Sequence, residues 1–255
     1  MFGESLVTLP RGLFDHDGRR HATAVLRPVT GRLEIQLAEH EDLDASAVSE
    51  LLASAISRIG GYRDITPEHT AALSRGDRDY AIMQLRRSLF GDNLDLVVTC
   101  ANPSCREDAD LRLRVADLAP APASAAPEVI RADISLGPVL LREPTGADDE
   151  AVAGRPQAEA SAMLWSRLIL DLAGTGSVTE RGWKALDASV RHDVALALAD
   201  GQSGPSLAFT APCPSCGAWM EIELDAPLLL AAELGVATER LFAEVHLLAY
   251  GYHWS

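Results

Sequence analysis

Two cysteine pairs constrain this chain more than any other feature. They read Cys100-Ala101-Asn102-Pro103-Ser104-Cys105 and Cys213-Pro214-Ser215-Cys216-Gly217. Each lies between two β-like segments, as the knuckles of zinc ribbons do. In the second pair, two thiols share one tight turn, and the glycine that follows lets backbone amides turn toward sulfur. The first has two more residues in its turn and Arg106 at the glycine position. A structural zinc takes four ligands at the corners of a tetrahedron, so each pair supplies half a site. The expectation is one Zn2+ held by Cys100, Cys105, Cys213 and Cys216, stapling segments nearly half the chain apart. Two local disulfides, or a redox Cys-x-x-Cys at 213–216, are the other readings of the same residues. Four thiolates leave no open position for a metal-bound water, so the zinc would be structural rather than catalytic.

The residues around the pairs are written twice. Leu26-Arg27-Pro28-Val29-Thr30-Gly31 recurs as Leu141-Arg142-Glu143-Pro144-Thr145-Gly146, and Ile65-Thr66 recurs as Val178-Thr179. An apolar helical stretch around Leu51-Leu52 has a counterpart around Met163-Leu164, and a strand at Leu96 has one at Leu207. The order is the same in both halves, which points to an internal duplication. Between them, residues 119–128 hold three prolines among small residues and offer little to bury. The predicted organisation is an N-terminal lobe, 1–118, a Pro/Ala-rich linker, 119–130, and a C-terminal lobe, 131–255. The fold class expected is α+β, two pseudo-repeated lobes of short strands and helices joined by the cysteine site, with a helical C-terminus.

Within the first lobe, the pattern predicts a strand at Ala22–Arg27 and a helix from Asp44 or Ser46 through Ile59, stopped by Gly60-Gly61. Thr66-Pro67-Glu68 reads as a helix start, and Ser74 or Asp77 opens another helix that ends at Gly91. Leu94–Thr99 and Leu111–Val115 read as strands; Leu111, Leu113 and Val115 alternate with Arg112 and Arg114, giving one buried and one wet face. The second lobe gives a strand at Pro138–Arg142, helices at about 157–172 and 187–199, and strands at Leu207–Thr210 and Met220–Leu224. Thr238 can cap a last amphipathic helix. The aromatic end, Tyr250-Gly251-Tyr252-His253-Trp254, either covers the core or adheres to a partner.

Net charge is −15, which argues against a broad nucleic-acid surface. No apolar run approaches the roughly 20 residues that span a bilayer, and Met1-Phe2-Gly3-Glu4 lacks a signal peptide's basic start. A cytoplasmic protein without membrane contact is expected. Phosphate-binding, dinucleotide, zincin and serine-hydrolase motifs are absent. Asp148-Asp149-Glu150 reads as a solvated loop, and Arg86-Arg87 as an exposed helix face.

Taken in order, Leu26–Gly31, Gly76-Asp77-Arg78-Asp79, Leu85-Arg86-Arg87 with Phe90-Gly91-Asp92, and the two cysteine pairs resemble the T-even-type phage baseplate hub assembly chaperone family. Members also occur beside phage-tail-like contractile injection systems of bacteria. Residues 144–148 and Glu244-Val245-His246 fit the same resemblance, which covers the chain from about residue 20. It implies an assembly factor or minor baseplate component that is not an enzyme and whose partners are baseplate or hub proteins. The family's cysteine pattern carries over to Cys100, Cys105, Cys213 and Cys216. The chain departs in its stretched first knuckle, and relatives continue past Tyr250–Trp254 into another helix. The alternative is a nucleic-acid-binding or transcription-type zinc ribbon, for which Arg106, Arg112 and Arg114 are the nearby cations.

Overall fold

The computed structural model describes residues 4–28, 44–118 and 129–235. β1 (Ser5–Phe14) and β2 (Arg20–Leu26) form an antiparallel hairpin whose register slips between Thr8 and Leu13. The slip frees the Arg11 and Gly12 amides, and the buried Asp77 carboxylate accepts both, at 2.7 and 2.8 Å. Asp44 caps α1 (Ala45–Ala55), accepting from the Ala47 amide at 2.8 Å. The chain runs directly from α1 into β3 (Ile56–Ile59), which pairs with β2; β4 (Tyr62–Arg63) completes a sheet of order β1-β2-β3-β4. Thr66 and Pro67 start α2 (Pro67–Ala71), and Ser74 caps α3 (Arg75–Phe90), which stops at Gly91. The hairpin β5 (Asn93–Thr99) and β6 (Asp108–Arg114) carries the first cysteine pair in its turn, and one 3-10 turn follows, Val115–Leu118.

The second lobe runs through β7 (Ile130–Ile134), β8 (Gly137–Leu141), α4 (Gly146–Val152), α5 (Gln157–Leu168), β9 (Ile169–Leu172), α6 (Glu180–Ala185) and α7 (Ala188–Gly201). The hairpin β10 (Ala208–Pro212) and β11 (Trp219–Glu223) carries the second pair, and helix α8 covers 226–235. The two larger sheets share one register. Ala24, Val25 and Leu26 face Ile59, Arg58 and Ile56; Val139, Leu140 and Leu141 face Leu172, Asp171 and Ile169, with the irregularity at the same step. The Arg27 amide donates to Ala55 O at 2.7 Å, and the Arg142 amide to Leu168 O at 3.0 Å.

That shared irregularity corrects two predicted helices. Both were expected to run on, to Ile59 and to about 172, yet each gives way to a strand after Ala55 and after Leu168. A bulged residue, Ser57 or Leu170, lets two residues three apart face the same side. Ile56 and Ile59 are fully buried, as are nearly Ile169 and Leu172. Their spacing imitates a helical stripe. β1, β7 and α4 were not foreseen. Val129 and Ile130, assigned to the linker, lead into the second lobe: Ile130 is buried and pairs with Leu141. Residues 119–128, the helix from Thr238 and the aromatic end lie outside the described residues.

Each lobe has its own core. The first holds Leu9, Leu26, Leu52, Ile82 and Leu94, and the second Leu141, Leu168, Trp183 and Val194. The first is not closed by its own residues. Ala226, Leu230 and Leu234 of α8 complete it, and the two carboxylate oxygens of Glu233 accept from Nη2 and Nε of the buried Arg86 guanidinium at 2.6 and 2.7 Å. Arg86 is therefore an internal tie, not the exposed face expected.

The lobes also meet along α3 and α4. Ser74 bridges to Thr145, the Arg75 amide donates to Pro144 O at 2.9 Å, and the Gly146 amide to Leu73 O at 3.2 Å. Arg75 pairs with Asp149, and the Ser49 hydroxyl donates to Glu150. The contact is so close that a β-carbon at Gly146 would strike the Arg78 guanidinium. The acidic run 148–150 is thus a helix at the lobe junction rather than a solvated loop. Asp148 is fully buried, accepting from Arg142 at 2.6 and 2.7 Å and from Arg167 at 2.6 Å. Against the cost of burial, these hydrogen bonds hold its carboxyl well below the usual carboxylate range.

Candidate metal centre

The hairpins β5–β6 and β10–β11 pack through a small apolar cluster, with Ala109 from the first and Met220 and Ile222 from the second buried between them. This packing sets the two cysteine turns against each other. All four sulfurs, from Cys100, Cys105, Cys213 and Cys216, lie within 4.8 Å of one another. The short edges cross between lobes: Cys100 Sγ to Cys216 Sγ is 3.8 Å, and Cys105 Sγ to Cys213 Sγ is 3.9 Å. A tetrahedral thiolate site with metal–sulfur bonds of about 2.3 Å has edges of about 3.8 Å. A disulfide needs about 2.05 Å, and all four cysteines are free. The arrangement is compatible with one metal ion shared by the two pairs.

The turns solve one problem in two ways. In the short knuckle, Cys213 does two jobs: its amide donates across the hairpin to Ala218 O at 2.8 Å, and its carbonyl accepts from the Gly217 amide at 2.8 Å. In the long knuckle, the jobs are divided. The Cys100 amide donates to Glu107 O at 2.9 Å, while the Asn102 carbonyl accepts from Cys105 and Arg106, at 2.9 and 3.2 Å. Asn102-Pro103-Ser104-Cys105 thus repeats the arc of Cys213-Pro214-Ser215-Cys216, with asparagine at the position of the first thiol. The Ser104 amide donates to Asn102 Oδ1 at 3.1 Å and steadies that arc. Residue 106 takes a left-handed conformation (φ 57°), as Gly217 does (φ 73°), although it is arginine.

Asn102 is the residue that sequence reasoning missed. Its Nδ2 lies 3.6 Å from Cys216 Sγ, an N–H···S contact from one lobe's turn to the other lobe's sulfur. The repeated Pro-Ser-Cys was the available signal: aligning it places Asn102 on Cys213.

The thiols do not share one protonation behaviour. The Ala218 amide donates to Cys216, and together with the Asn102 amide it draws that thiol down to about 7. For Cys105, the Glu107 amide pulls the same way, but burial and the neighbouring thiols outweigh it and push it up to about 12. A cation entering the cluster would displace these protons and hold every sulfur as thiolate. Cys100 and Cys213 are buried, Cys105 is half-buried and Cys216 is exposed, so the site opens to solvent on the Cys216 side.

The nearby cations are mostly committed. Arg112 pairs with Asp95 at 2.6 Å, and Arg114 with Asp92 at 2.9 Å. No helix among the described residues is long and apolar enough to cross a membrane. No family model, curated protein or solved structure matches the chain.

Proposed function

We propose that this protein is a non-enzymatic adaptor in which one structural Zn2+ clamps two lobes, and that it serves as an assembly factor or minor baseplate component of a contractile phage-tail-like particle. The carrying observation is the convergence of four thiols, two from each lobe, within 4.8 Å. Zinc suits a closed tetrahedral thiolate site: it has no redox chemistry and contributes folding free energy outright. The mechanism is binding. The metal fixes the relative pose of the lobes, so that a partner meets one rigid surface. The matched sheet register supports an internal duplication, with the metal joining equivalent turns of the two copies.

The baseplate setting rests on the resemblance at Leu26–Gly31, Gly76–Asp79, Leu85–Asp92 and the cysteine pairs, and the partners it implies are baseplate or hub proteins. A net charge of −15 suits a soluble factor that meets basic protein surfaces. The nucleic-acid alternative is weakened by Arg112 and Arg114, which already hold carboxylates.

The test is affinity capture of the tagged full chain from its native host, followed by mass spectrometry, beside a Cys213→Ser variant. Baseplate, hub or tube proteins that accompany the native chain and are depleted with the variant are the expected result. Nucleic acid in place of those proteins, with a salt-dependent shift on generic DNA, would overturn the reading.

A further inference from the structure

A cavity of about 760 Å³ opens where α1, α3, α4 and the β11–α8 segment meet. It therefore draws on both lobes and on the stretch that begins just past the second cysteine turn. Its apolar lining includes Val48 and Ile82 at the edge of the first core, Leu224, and Leu228, which is 66% exposed. Five carboxylates also line it, Asp44, Asp79, Asp149, Glu223 and Asp225, together with Arg75 and Arg78.

Most of this charge is used inside the protein. Asp44 caps α1, and Asp225 caps α8 through the Leu228 amide at 2.8 Å. Asp149 pairs with Arg75. Arg78 donates to Ser49 Oγ and to the carbonyls of Thr70 and Ala45, at 2.7 to 3.1 Å. Asp79 and Glu223 accept no hydrogen bond from any described residue. Burial pushes the Asp79 carboxyl up to about 6, with Asp225 and Asp149 adding to the shift and Arg75 and Arg78 opposing it. Asp79 is half-buried and Glu223 exposed, so a ligand that supplied a donor at Asp79 would offset its partial desolvation.

We infer that this cavity seats an apolar segment of a protein partner that carries arginine or lysine, its cation toward the carboxylates of Asp79 and Glu223 and its apolar side chains toward the exposed Leu228 and the Val48 and Ile82 lining. An anionic ligand would meet two carboxylates without donors and two arginines already engaged. A neutral apolar ligand would bury Asp79 further and leave it unpaired. The inference deepens the adaptor reading and rests on it for the partner being a protein.

The test uses the full chain as purified, with metal content and melting measured on the same sample. The probe is a fluorescein-labelled peptide alternating leucine with arginine, followed by anisotropy, beside a counterpart with glutamate for arginine. The arginine peptide should bind and shift methyl resonances of Val48, Ile82 and Leu228, and the glutamate peptide should not. Asp79→Asn should weaken binding by at least about tenfold, and Leu228→Ser, at an exposed site, should weaken it without lowering the melting temperature. Equal binding by both variants, or methyl shifts confined to other regions, would overturn the assignment. A folded chain that holds one zinc yet ignores the peptide overturns the cavity and spares the clamp. A metal-free chain that binds it normally overturns the clamp and supports the cavity.

Discussion

Replacing Cys213 by serine should cost far more than the loss of a local turn. Cys105 and Cys213 are 108 residues apart, and the metal proposed between them closes that loop. Treated as a cross-link, closure of a loop of that length removes about 4.7 kcal/mol of unfolded-chain entropy; closing the short stretch from Cys100 to Cys105 removes only about 2 kcal/mol. At about 2–4 °C per kcal/mol for a chain of this size, Cys213→Ser should lower the melting temperature by about 10–20 °C. The loss should reach both cores, because α8 leaves the second knuckle to fill the first lobe with Leu230 and Leu234. Far-UV circular dichroism follows the whole chain. The stacked pair Trp165 and Trp183, 4.9 Å between ring centroids, reports on the second lobe by fluorescence. A strong chelator should bring the native protein down to the variant's melting temperature and leave the variant unmoved. A loss near 2 kcal/mol or less, or a chelator effect equal in both proteins, would refute the cross-lobe closure.

Asp148→Asn should destabilise by about 3 kcal/mol, near the low end for breaking a buried ion pair, because Arg142 and Arg167 keep 29% and 39% of their side chains exposed and can rehydrate. The folded-state pKa of Asp148 lies below its unfolded value near 3.9, so its stabilisation is complete above that value and is lost as pH falls through the folded one. Urea midpoints of native and variant protein should therefore differ at pH 7 and converge in strong acid. Gly146→Ala should cost about 1–3 kcal/mol by forcing a methyl onto the buried Arg78 guanidinium, read from the same midpoints. Asn102→Ala should lower metal affinity about tenfold without changing stoichiometry, measured by competition with a chromophoric chelator.

What could be read from the sequence followed how local each signal was. Caps such as Asp44, Thr66 and Ser74 are written in adjacent residues, and each marks the helix start it predicts. The cysteine set was legible because thiols in pairs have few other uses, and the structure brings the four named residues together. The helix ends were illegible for a stated reason: the bulges at Ser57 and Leu170 convert strand spacing into helical spacing. The fates of Asp148 and Arg86 were hidden as well. Their burial depends on Arg167 and on Glu233, the latter 147 residues away. Charged residues look alike in sequence whether they face water or a distant partner.

The most direct test of the central claim is zinc K-edge X-ray absorption on the purified full chain, with metal quantified per molecule. One zinc per chain with four sulfur neighbours at about 2.3 Å is the expected result. A metal-free folded chain, or a zinc shell in which nitrogen or oxygen replaces two of the sulfurs, would contradict it.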